Sequence, residues 1–138
     1  MAVVATQMAR LSDLIKKFGL QFPEMHFEVV TVNEAAAKTY KIGQALGKVT
    51  ATGKYKIAVE TAVDGSKVIA ALFVGDLLGQ PVDTAIAATT DTKVLVLVRD
   101  TVVDKNQVIL DSTYDNGTKV ATALADLAAL RVFAETSV

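Results

Sequence analysis

The sequence predicts a single, mainly β domain that keeps apolar surface for a partner. Short apolar runs follow one another along the chain after residue 24, several of them alternating with period two and separated by glycine turns. Of the 138 residues, 51% are hydrophobic and 21% are charged, a composition that excludes disorder over the whole length. A chain of this length forms one ordinary domain and can bury a core of its own.

The strands are predicted from apolar runs between turn residues. In the first run, residues 26–32, polar and apolar side chains alternate well enough to predict a strand with one solvent-exposed face. The run 68–74 is apolar without alternation, which predicts a strand buried on both faces. Residues 75–92, rich in Gly, Thr and Ala, are predicted to be weakly structured. Further strand pieces are predicted within 40–50, 55–60, 94–98, 101–103, 108–110 and 132–134.

Two helices are predicted, one near each end of the chain. The first covers residues 8–18, where Gly19 and Pro23 end it and the apolar residues Met8, Leu11, Leu14, Ile15 and Phe18 share one face. The second is the alanine-rich segment 119–130.

The domain organisation predicted is an N-terminal arm with a short amphipathic helix, residues 1–23, and a β-rich domain, residues 24–138. The apolar stripe of the arm fits packing on its own domain, docking on another chain, or a frayed terminus.

Composition argues against most chemical functions. Cysteine is absent, which excludes disulfides and thiolate chemistry, and a single histidine makes a metal site improbable. The formal net charge of -1 argues against nucleic-acid binding and against a polybasic membrane anchor. The apolar runs are shorter than the roughly 18 residues that span a bilayer. We therefore expect a soluble protein made in a cytoplasm, with no cofactor, no metal and no catalytic residues.

The remaining polar motifs are weak. His26 is expected to be a structural or surface residue. The carboxylate pairs Asp100/Asp104 and Asp111/Asp115 have a spacing that is common in solvated loops. Residues 111–117 resemble a calcium loop only in part, because the glycine falls one position late and the closing glutamate is missing. Thr50, Thr52 and Lys54 could surround an anion, but a plain turn explains them better.

The order of segments after residue 40 resembles a known family. Residues 42–55, IGQALGKVTATGKY, are similar to the early strands of phage head decoration proteins of the lambda protein D type. Residues 64–74 repeat that family's Asp-Gly turn before an apolar strand, and residues 92–103 resemble its valine-rich strand with a polar step. The alanine-rich helix and the closing strand 132–134 complete a resemblance that covers about residues 24–138.

The resemblance implies a fold, an assembly and a location. The family fold is a β-clip, an incomplete small barrel with one or two short helices. Family members are homotrimers without enzymatic activity, which bind the major capsid protein at three-fold sites on the outer surface of the virion and cement the shell against the pressure of packaged DNA. The family's N-terminal arm contacts the capsid, so the expected capsid-binding residues are Met8, Leu11, Leu14, Ile15, Phe18 and Phe22.

Two other functions fit a small β domain. A trimeric enzyme of the dUTPase kind shares the β-clip architecture, but it needs magnesium-binding acidic residues and a phosphate loop that the sequence does not present in order. A lipoyl-like carrier barrel needs an exposed lysine at a hairpin tip between acidic and small residues. Lys54, between Gly53 and Tyr55, does not have those neighbours.

Overall fold

The computed structural model describes residues 14–18, 26–76, 80 and 83–135. Within those ranges the chain is mainly β, as predicted, with ten strands and one α-helix. The strands are β1 Ile15–Phe18, β2 Phe27–Val32, β3 Lys38–Tyr40, β4 Ala45–Lys48, β5 Tyr55–Ile57, β6 Ile69–Asp76, β7 Thr84–Ile86, β8 Thr92–Leu97, β9 Thr101–Asp104 and β10 Val132–Glu135, and the helix is α1 Gly117–Ala129.

Five strands form the main sheet, which curls round in the order β2-β5-β4-β6-β8 and returns to β2. β8 and β2 pair antiparallel along their whole length, from Phe27–Leu97 to Val32–Thr92. β6 lies between β4 and β8 and is antiparallel to both. Most residues of β6 are buried, which confirms the predicted strand with two covered faces. Val68, which the prediction included, precedes β6 and is 54% exposed.

Closure of the barrel between β2 and β5 is minimal. These strands share a single parallel pair, Val32 with Tyr55, beside which the Asn33 N–H donates to the Tyr55 carbonyl at 2.9 Å. The sheet is therefore an incomplete barrel, as predicted, since a regular barrel has continuous ladders between all neighbours.

Two smaller sheets flank the barrel. β3 and β7 form an antiparallel ribbon, while β1, β9 and β10 form a sheet in which β9 is central, antiparallel to β1 and parallel to β10. α1 precedes β10 and packs on β10 and β6. The Asn116 side chain caps its first turn by accepting from the Lys119 N–H at 3.0 Å.

The buried side chains form two cores. The first joins α1 and the β1-β9-β10 sheet to the barrel through Leu14, Leu72, Val103, Leu127 and Val132. The second lies between the barrel and the β3-β7 ribbon and includes Val32, Tyr40, Phe73, Ile86 and Val96. In it the rings of Tyr40 and Phe73 meet edge to face, with centroids 5.4 Å apart.

The first predicted helix is wrong for Ile15–Phe18, which form β1. The side chains at 8, 11, 14, 15 and 18 have helical spacing, but this stretch pairs along β9, and tertiary pairing overrides local periodicity. Residues 8–13 lie outside the described residues. The prediction for residues 75–92 missed β7, which is held by its pairing with β3. The predicted strand at 108–110 is reduced to one bridge, between Ile109 and Gln44.

Gly47 shows how closely the backbone packs at the barrel wall. A Cβ built on Gly47 would stand 1.8 Å from the Ser66 carbonyl oxygen, a backbone atom that cannot rotate away. A Cβ built on Gly117, in contrast, would meet nothing within 4 Å. Only glycine therefore fits at position 47 without a shift of the strand or of the loop that carries Ser66.

We predict that Gly47→Ala lowers the free energy of unfolding by more than about 2 kcal/mol, because the new methyl group overpacks a site bounded by backbone. The matched control is Gly117→Ala, which we expect to be neutral or to stabilise by about 0.5–1 kcal/mol, since alanine is the better helix former. Urea unfolding of both variants measures the difference. Equal stabilities would contradict the close packing at Gly47.

Candidate functional site

The single histidine is a structural residue inside the fold. His26 precedes β2 and has no exposed surface. Its Nδ1 lies 2.9 Å from the Arg99 carbonyl oxygen, and its own carbonyl accepts from the Val98 N–H at 2.8 Å. The imidazole thus ties the start of β2 to the turn after β8, and it is not placed to meet a substrate.

Each of the four aspartates considered as acid–base candidates has a local structural role. Asp104 caps a short 3-10 turn by accepting from the Asn106 N–H at 2.9 Å. Asp100 forms an ion pair with Arg131, with Oδ1 and Nε 2.8 Å apart. Both residues of this pair have positive φ, 53° and 63°, so the ion pair lies between two strained turns.

Asp111 and Asp115 are used in the loop before α1. Asp111 accepts from the N–H and the hydroxyl of Thr113, at 3.1 and 2.8 Å. Asp115 pairs with Lys119, with Oδ1 and Nζ 3.1 Å apart, and this contact raises the pKa of the lysine. Across the described ranges, no group of three or more His, Asp or Glu side chains is arranged to hold a metal ion.

The loop around Gly53 is a plain turn. Thr52 accepts a hydrogen bond from the Lys54 N–H at 3.2 Å, and the Lys54 ammonium lies 3.0 Å from Asp91 Oδ1. Thr50 is packed against Gly65, where a Cβ would stand 2.1 Å from the threonine hydroxyl. The three side chains therefore point to separate local partners and do not surround an anion.

A buried carboxylate that the sequence analysis did not single out lies in the second core. Glu34, 4% exposed, accepts from the Tyr40 hydroxyl and from the Ile57 N–H at 2.7 Å. Its backbone carbonyl accepts from the Thr89 N–H at 2.7 Å. The residue thus joins the end of β2 to β3, to β5 and to the segment after β7. Burial raises the pKa of Tyr40, and the hydrogen bond and charge of Glu34 raise it further.

Among the described residues, four large apolar side chains are exposed: Val29, Val63, Val68 and Phe133. Phe133, 48% exposed, lies in β10 opposite Val102 of β9, which in turn lies opposite Lys17 of β1. It therefore belongs to the outer face of the sheet that includes the N-terminal strand.

The predicted capsid-binding residues divide into three groups. Leu14 is completely buried in the first core and Ile15 packs against that core. Phe18 pairs through its backbone with Thr101. Met8, Leu11 and Phe22 lie outside the described residues. Leu14 and β1 precede the predicted boundary at residue 23 and belong to the packed body, while the role of the six residues in capsid contact stays a prediction.

A family model for the bacteriophage lambda head decoration protein D matches residues 22–132. This match spans β2 to the start of β10 and includes α1. The chain belongs to the bacteriophage lambda head decoration protein D family. Comparison with curated proteins returned no match, and comparison with solved structures returned none.

Membership makes the chain a head decoration protein, a structural component of the phage capsid. The family is one of phage structural proteins. It does not support the dUTPase-like or lipoyl-like alternatives. In the described part of the decoration protein, no helix is both long and apolar enough to cross a membrane.

We predict that Tyr40→Phe destabilises the decoration protein by about 1–3 kcal/mol at neutral pH, because the buried Glu34 carboxylate loses a donor. An unfolded tyrosine titrates near pH 10, and the folded state raises the pKa of Tyr40. The Tyr40 contribution is complete below about pH 10. Above that pH the unfolded state holds one proton fewer than the folded state, so the free energy of unfolding falls by about 1.4 kcal/mol per pH unit.

The phenylalanine variant lacks this titration. Urea unfolding of both proteins from about pH 8 to about pH 11 should show the stability gap closing above about pH 10. Because all other titrating groups are shared, their contributions cancel in the difference. A gap that stays constant with pH would contradict a buried, protonated Tyr40.

We predict that Leu14→Ala lowers the free energy of unfolding by about 2–5 kcal/mol, since it removes a side chain that is fully inside the first core. The matched control is Val63→Ala at a fully exposed position, which should change stability by less than about 0.5 kcal/mol. Thermal unfolding measures both. An unchanged melting temperature for Leu14→Ala would show that the segment is not part of the body in solution.

Proposed function

We propose that the decoration protein acts as a homotrimeric cement, which binds the major capsid protein at three-fold sites of the head and stabilises the shell against the pressure of packaged DNA. The observation that carries this proposal is the family match over residues 22–132, which spans all five barrel strands and α1. In this proposal the protein is made in the host cytoplasm and acts on the outer surface of the virion, and its fold is the family's β-clip.

Exposed apolar side chains support permanent association. Val29, Val68 and Phe133 lie in or beside strands and keep about half of their surface in contact with solvent. Covering such surface is favourable by about 25 cal/mol per Å². Trimer formation would cover part of this exposed apolar surface, and capsid binding would cover another part. The exposed side chains therefore fit a protein that both self-associates and coats a shell.

We place the capsid contact at the N-terminal arm and at the sheet from which the arm extends. Residues 1–13 precede Leu14, whose burial fixes the base of the arm on the body. Phe133 is exposed on the outer face of the same three-stranded sheet. In this proposal the apolar residues before Leu14, with Phe133 beside them, form one continuous contact with the capsid protein.

The test combines the size of the free protein with binding to expanded empty capsids. We predict a sedimenting species of about three times 14.6 kDa for the full chain. Deletion of residues 1–13 should leave the melting temperature and the trimer unchanged, because Leu14 and β1 remain. The same deletion should weaken co-sedimentation with capsids at least tenfold, and three arms per trimer multiply the effect.

Two further variants locate the contact. Phe133→Ser should reduce co-sedimentation with little change in melting, because the side chain is half exposed. Val63→Ser, at a fully exposed turn position, is the control that should change neither. A monomeric full chain would overturn the trimer, and unchanged co-sedimentation after the deletion would move the capsid contact to the β-rich body.

A further inference from the structure

Gly117 is a glycine that neither the backbone nor the packing requires. It is the first residue of α1, its φ is not among the positive values, and a Cβ there would meet nothing within 4 Å. Gly43, in contrast, has φ +96° and would bring a Cβ to 2.1 Å from the Gln107 carbonyl oxygen. In a helix, glycine is less favourable than alanine. The fold therefore leaves the glycine that follows Asn116 unexplained.

The pair Asn116-Gly117 has a chemistry of its own. When the residue after asparagine has no side chain, its backbone nitrogen can approach the asparagine carboxamide. The Gly117 nitrogen then attacks Cγ of Asn116, an N–Cγ bond forms, the Cγ–Nδ2 bond breaks, and ammonia leaves with the proton from the backbone nitrogen. Water opens the resulting five-membered succinimide ring to either aspartate or isoaspartate. These reaction steps need no oxidant, reductant or catalyst.

The structure leaves the reacting groups accessible but holds them in a cap. Asn116 and Gly117 are both exposed, and the N–H at the first position of a helix has no intrahelical acceptor. Asn116 has ψ 168°, and its Oδ1 accepts from the Lys119 N–H at 3.0 Å. This geometry directs the carboxamide toward Lys119, so ring closure requires the cap to open first. Helix ends open more readily than helix centres.

We propose that Asn116 is a site of spontaneous deamidation in the folded protein, reached through opening of the α1 cap. The two products differ in what they do to the helix. Aspartate keeps a capping oxygen and places a negative charge at the helix N-terminus, where it is favourable. Isoaspartate inserts a methylene group into the backbone and removes the cap. The first turn of the helix then loosens. This weakens the ion pairs that Lys119 forms with Asp115 at 3.1 Å and with Glu60 at 3.8 Å.

The chain contains its own controls. Its other asparagines, Asn33 and Asn106, are followed by Glu34 and Gln107, whose side chains hinder the same attack. Asn33 also donates to Asp91 at 2.7 Å. Asp64-Gly65 can form the same ring, but its reaction releases water and leaves the mass unchanged. The Asp64 carboxylate is moreover held by the Ser66 N–H at 3.0 Å.

The experiment follows the full chain in mildly alkaline buffer at physiological temperature, with a denatured sample in parallel. Tryptic digestion places Asn106 and Asn116 in one peptide, and fragmentation of that peptide by mass spectrometry locates the modified residue. We expect aspartate and isoaspartate to accumulate at Asn116 and not at Asn106. The native sample should react more slowly than the denatured one, because the cap must open.

The matched variants separate this chemistry from a structural effect. Gly117→Ala, which has room for its methyl group, should slow product formation at least tenfold without lowering the melting temperature. Asn116→Asp should melt like the fresh protein, and Asn116→Ala should form no product and melt lower. If Asn116 stays intact in the native sample while the denatured one converts, the proposal is overturned. An equal rate in Gly117→Ala would overturn it as well.

Discussion

The closure of the barrel between β2 and β5 is the constraint on which much of the second core depends. A single parallel pair joins these strands, which is a weak link in a sheet whose other ladders are longer. The Glu34 carboxylate reinforces it, because it follows β2 and accepts from the Ile57 N–H in β5. Tyr40 donates to the same carboxylate and packs on Phe73 of β6. A buried charge is costly unless it is satisfied, and here its donors come from β3 and β5, so the carboxylate is satisfied only when both strands pack against the end of β2.

The strands could be predicted where burial imposes a pattern on their own residues. β2 alternates because Val30 and Val32 point into the second core, and β6 is apolar from Ile69 to Val74 because both of its faces are covered. β7 could not be predicted, since its three residues lie in a Thr/Ala-rich stretch and their strand geometry comes from pairing with β3. The N-terminal helix failed at Ile15–Phe18 for the same reason. The spacing of apolar residues near the N-terminus carries no information about β9. The residues of β9 that pair with Ile15–Phe18 lie 83 or more positions further along the sequence.

The residues of the candidate site also differ in how far the sequence could predict their roles. The spacing of the four aspartates and the presence of a single histidine predicted solvated-loop and structural roles, and the structure gives each of these residues a local hydrogen bond or ion pair. The strand containing Phe133 was predicted, but its outward direction depends on α1 and Leu14 covering the opposite face. Glu34 was missed because it falls in a connection that shows no periodicity. Its burial results from the packing of strands that are distant in sequence.

The N-terminal strand explains how an arm can be effective in the proposed binding mode. The family match begins at residue 22, so β1 and Leu14 precede the part of the chain that the family model covers. Both are fixed, one by the β9 ladder and the other by the first core. An arm that starts from a fixed strand has fewer residues to order on docking, and ordering residues is a main cost of association. In the proposed binding mode Leu14 would act indirectly: its burial in the first core already fixes the start of β1, so that binding energy from the residues before it would not be used to order that strand.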